Sequence, residues 1–330
     1  MIAPAALPIT QDLLAASPLA RSLLSILPLG DRHSLSVATG RSALMAALAT
    51  LDASELTGRA WLPSLCCASL APPILRRGLS LCFYPWRLDG EPPDVRRGDL
   101  FLYIHLCGLP NRRAEAFLSR LPEGSRPIVV EDCVHSLFTP GTGHFGDFAL
   151  YSFRKFLPVP DGGLLLSRRP IAADLAPPLE TFVTAATLGR LRLSPELLRR
   201  SERLLDDDEE MRAPSEMGSF LLDRAPWEHI PEARRTNART LAQLLGLPAA
   251  PDEAVPLGLP VRAEGGRAEL ERRLRAAGYE PPLSWDGAPG AEDVEALVVL
   301  PCDERMGERD LARVAAIAAP SVTGPFEEAR

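Results

Sequence analysis

Between residues 59 and 167 short apolar runs keep recurring, each bounded by turn-forming residues: RAWLPS (59–64), LSLCFY (79–84), DLFLYIHL (99–106), RPIVVEDC (126–133), FALYSF (148–153) and GGLLLS (162–167). Runs this short, rich in β-branched and aromatic residues, read as strands. Helical stretches separate several of them, among them CCASLAPPILRRG and RRAEAFLSRL, and TGRSALMAALATL (39–51) precedes them with Thr39 or Gly40 near its N-cap. Strands alternating with helices predict βαβ units and a mostly parallel sheet. In such a sheet, ligand sites collect at the carboxyl ends of the strands.

From about residue 171 to 245 the pattern turns helical and charged, and its run DDDEE (206–210) reads as a solvated helix or loop. A proline-rich joint, LPAAPDEAVPLGLP (247–260), leads to a smaller unit. That unit holds a strand (LGLPVRA), an amphipathic helix (RAELERRLRAAG), a second strand (EALVVLPC) and a closing helix (ERDLARVAAIA), with PFEEAR as a frayed tail. The expected organisation is an N-terminal arm or helix over 1–30, a large domain over 31–245 and a small C-terminal α/β domain over 246–330. The first thirty residues lack a basic region ahead of their apolar part, so they read as a surface arm or helix and not as a leader. A net charge of −7 argues against a nucleic-acid or anionic-membrane binder, and no apolar run reaches membrane-spanning length. The six cysteines form no CxxC pair, which suggests free thiols in a reducing cytoplasm.

Of the 36 Lys and Arg residues only Lys155 is a lysine. A composition rich in Ala, Arg, Pro and Gly accounts for much of this imbalance. Lysine nonetheless persists best where its amine is needed, because a desolvated amine loses its proton and attacks carbonyls, whereas a guanidinium does neither. Lys155 follows the strand FALYSF. One strand earlier, VVEDCVHSLF (129–138) sets Glu131 and Asp132 at a strand's carboxyl end and His135 three residues later. A buried acid needs a cationic partner or serves as a cap. Gly141, Gly143 and Gly146 match GxGxxG, but they lead into a strand and open no helix, so a dinucleotide site is rejected for a loop that shapes a site. An acid and a lysine ending neighbouring strands, with a helix N-terminus able to hold phosphate, point to pyridoxal phosphate.

At these residues the chain resembles the DegT/DnrJ/EryC1/StrS family of fold type I sugar aminotransferases. TGRSAL is similar to the family's phosphate-binding SGTAAL, WLPSLCCAS to its PSxTxxAT segment, and IHLCGLP to its H-x-x-G strand end. EDCVHSL matches the ED-x-A-Q/H motif, and FGDFALYSFRK…DGGLLL matches GD-x-x-x-x-SF…K…(D/E)GG. The resemblance implies a three-layer α/β/α fold with Lys155 as the Schiff-base and proton-transfer lysine. It places Asp132 on the pyridinium nitrogen, His135 near the phenolic oxygen, and Ser152 on the phosphate with the backbone amides of Arg41 and Ser42. It further implies an amino-acid donor of glutamate type, a keto acceptor of the nucleotide-linked sugar class, the pyridoxal and pyridoxamine forms of the cofactor, and a homodimer. The chain also departs from the family. Arg41 replaces a small Thr, Cys67 stands where an aromatic ring stacks on the cofactor, and EMRAPSEMG (210–218) lacks the Asn of the N-x-R-M segment. Elimination, decarboxylation or substitution on the same cofactor, and a non-catalytic cofactor-binding scaffold, are the alternative readings.

Overall fold

Each of the six apolar runs contains a strand: β2 (Arg59–Pro63), β3 (Ser80–Tyr84), β4 (Leu100–Ile104), β5 (Ile128–Asp132), β6 (Phe148–Ser152) and β7 (Gly163–Ser167). The computed structural model describes residues 7–88, 93–192, 194–283 and 296–325. A further strand, β1 (His33–Val37), completes a seven-stranded sheet of order β1-β7-β6-β5-β4-β2-β3. Pairing is parallel from β3 through β2, β4 and β5 to β6, and antiparallel only where β7 joins β6 and β1. The expected mostly parallel α/β sheet is therefore present. Its central strands β4, β6 and β7 are buried at every position, which explains their continuous apolar runs.

Because side chains alternate across a strand, the sheet has two differently covered faces. On one face Val130, Phe148, Leu150 and Leu165 pack beneath α2 (Gly40–Ala49), whose Ala43, Ala46 and Ala47 let it approach closely. On the other face Ala149, Tyr151, Leu164 and Leu166 join Leu23, Leu27 and Ile9 of the N-terminal segment. The described part of this expected arm or helix carries a short helix, Gln11–Ala15, and buries Ile9, Leu13, Leu23 and Leu27 against the sheet while Leu14 stays exposed.

The Gly-rich run GTGHFG belongs to this second face. Glu131 is fully buried there and accepts the N–H groups of Gly143 (2.5 Å), Phe145 (2.9 Å) and Gly146 (2.8 Å), as well as Nε2–H of His105 (2.8 Å). His105 Nδ1 accepts the N–H of Asn111 at 2.9 Å, so its proton sits on Nε2. Burial alone would push the Glu131 carboxyl up, but His105 and the loop amides outweigh it and hold the group below its ordinary value. A Cβ on Gly143 would fall 1.8 Å from the Tyr151 hydroxyl, where φ is +83°. The loop therefore seats a structural carboxylate behind the sheet. The loop expected to shape a site thus shapes the seat of Glu131, on the side of the sheet away from Asp132.

Beyond β7 come α5 (Glu180–Arg192), α6 (Pro195–Asp206), α7 (Glu216–Leu222) and α8 (Ile230–Leu244). The smaller unit holds β8 (Leu259–Ala263), α9 (Arg267–Ala276), β9 (Leu297–Leu300), α10 (Glu308–Ala318) and β10 (Val322–Pro325), with an antiparallel sheet of order β10-β8-β9. Pro325 of the expected frayed tail ends β10, and the rest of that tail lies outside the described residues. Ala238, Leu241 and Ala242 of α8 are buried in the smaller sheet's core, so this helix packs with the C-terminal unit.

Candidate active site

Three chain segments meet at the carboxyl ends of β5 and β6. A Cβ on Gly40, the first residue of α2, would lie 3.0 Å from Val134 Cγ2 and 3.7 Å from Ser152 Cβ. The helix N-terminus, the turn after Asp132 and the end of β6 are thus in contact. After Ser152 the chain makes one tight turn of 3₁₀ helix, Phe153–Lys155, which carries the lysine. The segment that follows is anchored by fully buried Phe156, Leu157 and Val159, with Phe156 edge-on to Phe138 at 5.4 Å. It returns through Asp161, Gly162 and Gly163. The Gly162 carbonyl accepts the Phe153 N–H (2.9 Å), and the Gly162 N–H reaches the Ala38 carbonyl (2.7 Å) at a φ of +117°. A Cβ at Gly163 would come 2.6 Å from the Tyr151 carbonyl oxygen and 3.2 Å from Thr39. These glycines are where β7 crosses close to the start of α2. Asp161, also buried, accepts the Ser215 N–H and hydroxyl, both at 2.7 Å, and so fixes the start of α7.

Lys155 is half-buried, and burial lowers the proton affinity of its amine. Neighbouring Arg154 lowers it further, while the charges of Cys67, Glu202 and Asp132 act the other way. Asp132 is 6% exposed, and burial pushes its carboxyl up to about 6. Its Oδ1 accepts the Val134 N–H at 2.9 Å, and no cation of the described residues forms an ion pair with it. His135 is held down to about 3 by burial and by the Lys155 charge, so its ring is neutral, and its Nδ1 is buried without a partner. Ser152 is buried with its hydroxyl unpaired by any described residue.

The start of α2 is less open than the motif suggests. Thr39 Oγ1 accepts the Ser42 N–H at 3.1 Å, and Ser42 Oγ lies 3.2 Å from Thr39 Oγ1. The amides of Gly40 and Arg41 remain as the free donors at this helix end. The Arg41 side chain turns to α6, where it binds the Leu205 carbonyl and pairs with Asp206 at 2.7 Å. Together with the Arg212–Asp208 pair at 2.8 Å, this gives part of the acidic run a structural role. Cys67 is exposed on the turn before α3 (Ala71–Arg76), with its sulfur 3.0 Å from Ser69 Oγ.

Two residues near Lys155 escaped the sequence reading. Glu202 of α6 holds Arg154 through both guanidinium nitrogens, with the longer contact at 3.0 Å. Arg190 of α5 is 4% exposed. The available signal was Arg190's position inside the apolar stretch TFVTAATLGRL, where an arginine must be buried or break the helix's inner face.

The residues present fit the cofactor that the sequence resemblance implies. A buried carboxyl lacking an ion-pair partner suits a protonated ring nitrogen, and the orphaned His135 Nδ1 suits a polar ring substituent. The free α2 amides and the Ser152 hydroxyl suit a phosphate, and a proton-poor amine suits an aldehyde.

No protein-family model matches the chain, and no curated protein matches it. Solved structures do. The aminotransferase TlmJ from Streptoalloteichus hindustanus is 19% identical, covers 97% of this chain and 98% of its own, and superposes with a TM-score of 0.66. The sugar aminotransferase CalS13 from Micromonospora echinospora is 18% identical over 97% of this chain and 100% of its own, with a TM-score of 0.61. A DegT DnrJ EryC1 StrS aminotransferase from Brucella abortus is 17% identical over 90% and 87%, with a TM-score of 0.58. At these identities the likeness is one of fold, and the fold type I α/β transferase architecture that the sequence resemblance implied is the one this chain adopts.

Proposed function

We propose that the chain is a pyridoxal-phosphate-dependent aminotransferase, moving an amino group from an amino-acid donor of glutamate type to a keto acceptor of the nucleotide-linked sugar class. The observation that carries this reading is the pairing of Lys155, a proton-poor amine at the end of β6, with Asp132, a buried carboxyl without an ion-pair partner at the end of β5. When bound, the cofactor supplies an electron sink for the pair left behind as a proton leaves the donor's nitrogen-bearing carbon.

The chain's own residues do the rest. Lys155 would hold the cofactor's aldehyde, and as a free amine it would be basic enough to take the proton from the donor's nitrogen-bearing carbon and deliver it elsewhere. Its lowered proton affinity keeps a larger share of it unprotonated at neutral pH. Asp132 keeps a proton on the ring nitrogen, and that added charge in turn relieves the cost of burying the carboxylate. Neutral His135 stands beside the lysine without adding a second cation. Ser152 and the Gly40 and Arg41 amides hold the phosphate at the positive end of the α2 dipole.

The sugar class of the acceptor is supported by fold neighbours such as the sugar aminotransferase CalS13. Two copies are expected to assemble as a homodimer, in a cytoplasm where the six free cysteines remain thiols. No helix of the described residues is long and apolar enough to cross a membrane.

A single-turnover experiment tests the function. The cofactor-loaded protein is mixed with a panel of amino acids, and the keto acid and pyridoxamine phosphate formed are counted. One equivalent of each from at least one donor is expected. Cofactor bound to Lys155 that no donor converts would overturn the transaminase reading.

A further inference from the structure

Glu202 of α6 stands apart from the other acids at the lysine. A cavity of about 140 Å³ between the end of β6 and the smaller unit is lined by three of them, Glu202, Glu280 and Asp303. Glu280 pairs with Arg275 at 2.9 Å and Asp303 with Arg305 at 2.8 Å, and neither arginine lines the cavity. Arg234 is likewise taken, by Glu304 at 2.8 Å. Among the described lining residues, Glu202 is then the acid left for three cations: Arg154, Lys155 and Arg190.

Geometry makes one cluster of these four groups. Glu202 holds Arg154 through both guanidinium nitrogens, the longer contact at 3.0 Å. The Arg154 carbonyl accepts Arg190 Nη2 at 3.3 Å, and Lys155 is the next residue in the chain. The turn that bears the lysine is thus gripped by α6 at a side chain and by α5 at the main chain. Charge follows the same lines. Burial lowers the proton affinity of Lys155 and of Arg190, Arg154 lowers both further, and Glu202 raises both. Against its own burial, the Glu202 carboxyl is held down to about 2 by Arg154, Lys155 and Arg190. Asp132 and Cys67 act on Lys155 in the same sense as Glu202, and His135 beside it is neutral. Of these groups only Glu202 also grips the lysine's neighbour.

Resting on the aminotransferase reading for what Lys155 does, we infer that Glu202 is a positioning residue acting through Arg154: it turns that guanidinium onto α6 and balances it, so that Lys155 sits beside a neutral pair and not beside a bare cation. An amine that is to take a proton from carbon must keep its affinity for protons, and an unbalanced guanidinium one residue away would reduce it. The Glu202 side chain is 54% exposed, so water screens part of its charge and its effect on the amine is graded.

The chain's single lysine lets the amine be read without cofactor or turnover. Cofactor-free wild type, Glu202→Gln, Arg154→Met and the double variant are labelled with trace acetic anhydride from neutral to alkaline pH. The Lys155 peptide is then quantified by mass spectrometry. The rate at high pH reports access to the amine, and the midpoint of the profile reports its charge. At pH 7 the Lys155 rate is expected to be about 3- to 10-fold higher in Glu202→Gln and lower by a similar factor in Arg154→Met. The double variant should return to within about twofold of wild type, with the high-pH rate unchanged throughout. An ion pair that merely braced the fold would move both single variants the same way, or move only the high-pH rate. Either result overturns the inference, and so does an unchanged profile. Should Arg154→Met fold poorly, the half-exposed Glu202→Gln still decides by the direction in which its midpoint moves. Failure of wild type to form a cofactor adduct would sink the aminotransferase reading and leave this result legible.

Discussion

At the scale of single residues the site is defined by groups held in unfavourable charge states. Asp132 shows what this costs. Its carboxyl sits at about 6 in the folded chain against an ordinary 3.8, so the folded state binds the proton more tightly than the unfolded one. For an acid raised in this way, stability is greatest at low pH and is lost as pH climbs from about 4 through 6. A shift of roughly two units corresponds to about 3 kcal/mol. Asp132→Asn is accordingly expected to raise the melting temperature of the cofactor-free protein at pH 7.5 and to change it little at pH 4, while weakening cofactor binding. Equal effects at both pH values in thermal melts would show that Asp132 carries no buried charge. The lone lysine and the ED pair were legible in the sequence because each is chemically odd for its context. Glu202 was not, and Arg190 was marked only by its place inside the apolar stretch TFVTAATLGRL, since arginine is the default cation of this chain.

At the scale of elements, the sequence pattern identified strands that carry an apolar run: β4, β6 and β7 are buried at every position, and the partly exposed edge strand β3 still shows LSLCFY. β1 escaped notice: HSLSV sits at the sheet edge, largely exposed, and has no apolar run to show. β10 was missed for a similar reason, since VTGP has only one strongly apolar side chain and its pairing with β8 is broken by a register shift. The DGG segment, by contrast, was legible as a motif but not as a cause. Its second glycine is required because β7 passes against the Thr39 cap of α2. Gly163→Ala should cost about 2–4 kcal/mol in urea unfolding, because the atoms its Cβ would strike are main chain and cannot swing aside. A cost below 1 kcal/mol would mean that α2 can slide, and the helix end would then be no fixed seat for a phosphate.

At the scale of the whole molecule, the lysine loop is braced by the C-terminal unit. Arg234 of α8 is 2% exposed. It pairs with Glu304, donates to the Leu257 carbonyl at 3.1 Å and lies over the Phe156 ring at 4.9 Å. One side chain thus ties β8's approach, the turn after β9 and the segment following Lys155. Removing it strands a nearly buried carboxylate, so Arg234→Met should destabilise the fold by about 3–5 kcal/mol, and Glu304→Gln added to it should recover part of that loss. Purely additive losses in a double-mutant cycle would deny the coupling. Long-range ties of this kind are invisible to a local pattern: Arg234 and Glu304 lie seventy residues apart, and both read as ordinary surface charge. The fold class and the order of motifs survive such blindness because they depend on periodicity and sequence order. The bracing depends on which charges the fold buries together.

The most direct test of the central claim uses the chain's single lysine. The protein is incubated with pyridoxal phosphate, reduced with borohydride, digested and mapped by mass spectrometry. The account predicts one phosphopyridoxyl group per chain, on Lys155, with the label abolished in Lys155→Arg. No label, or label found only on the terminal amine, would contradict it.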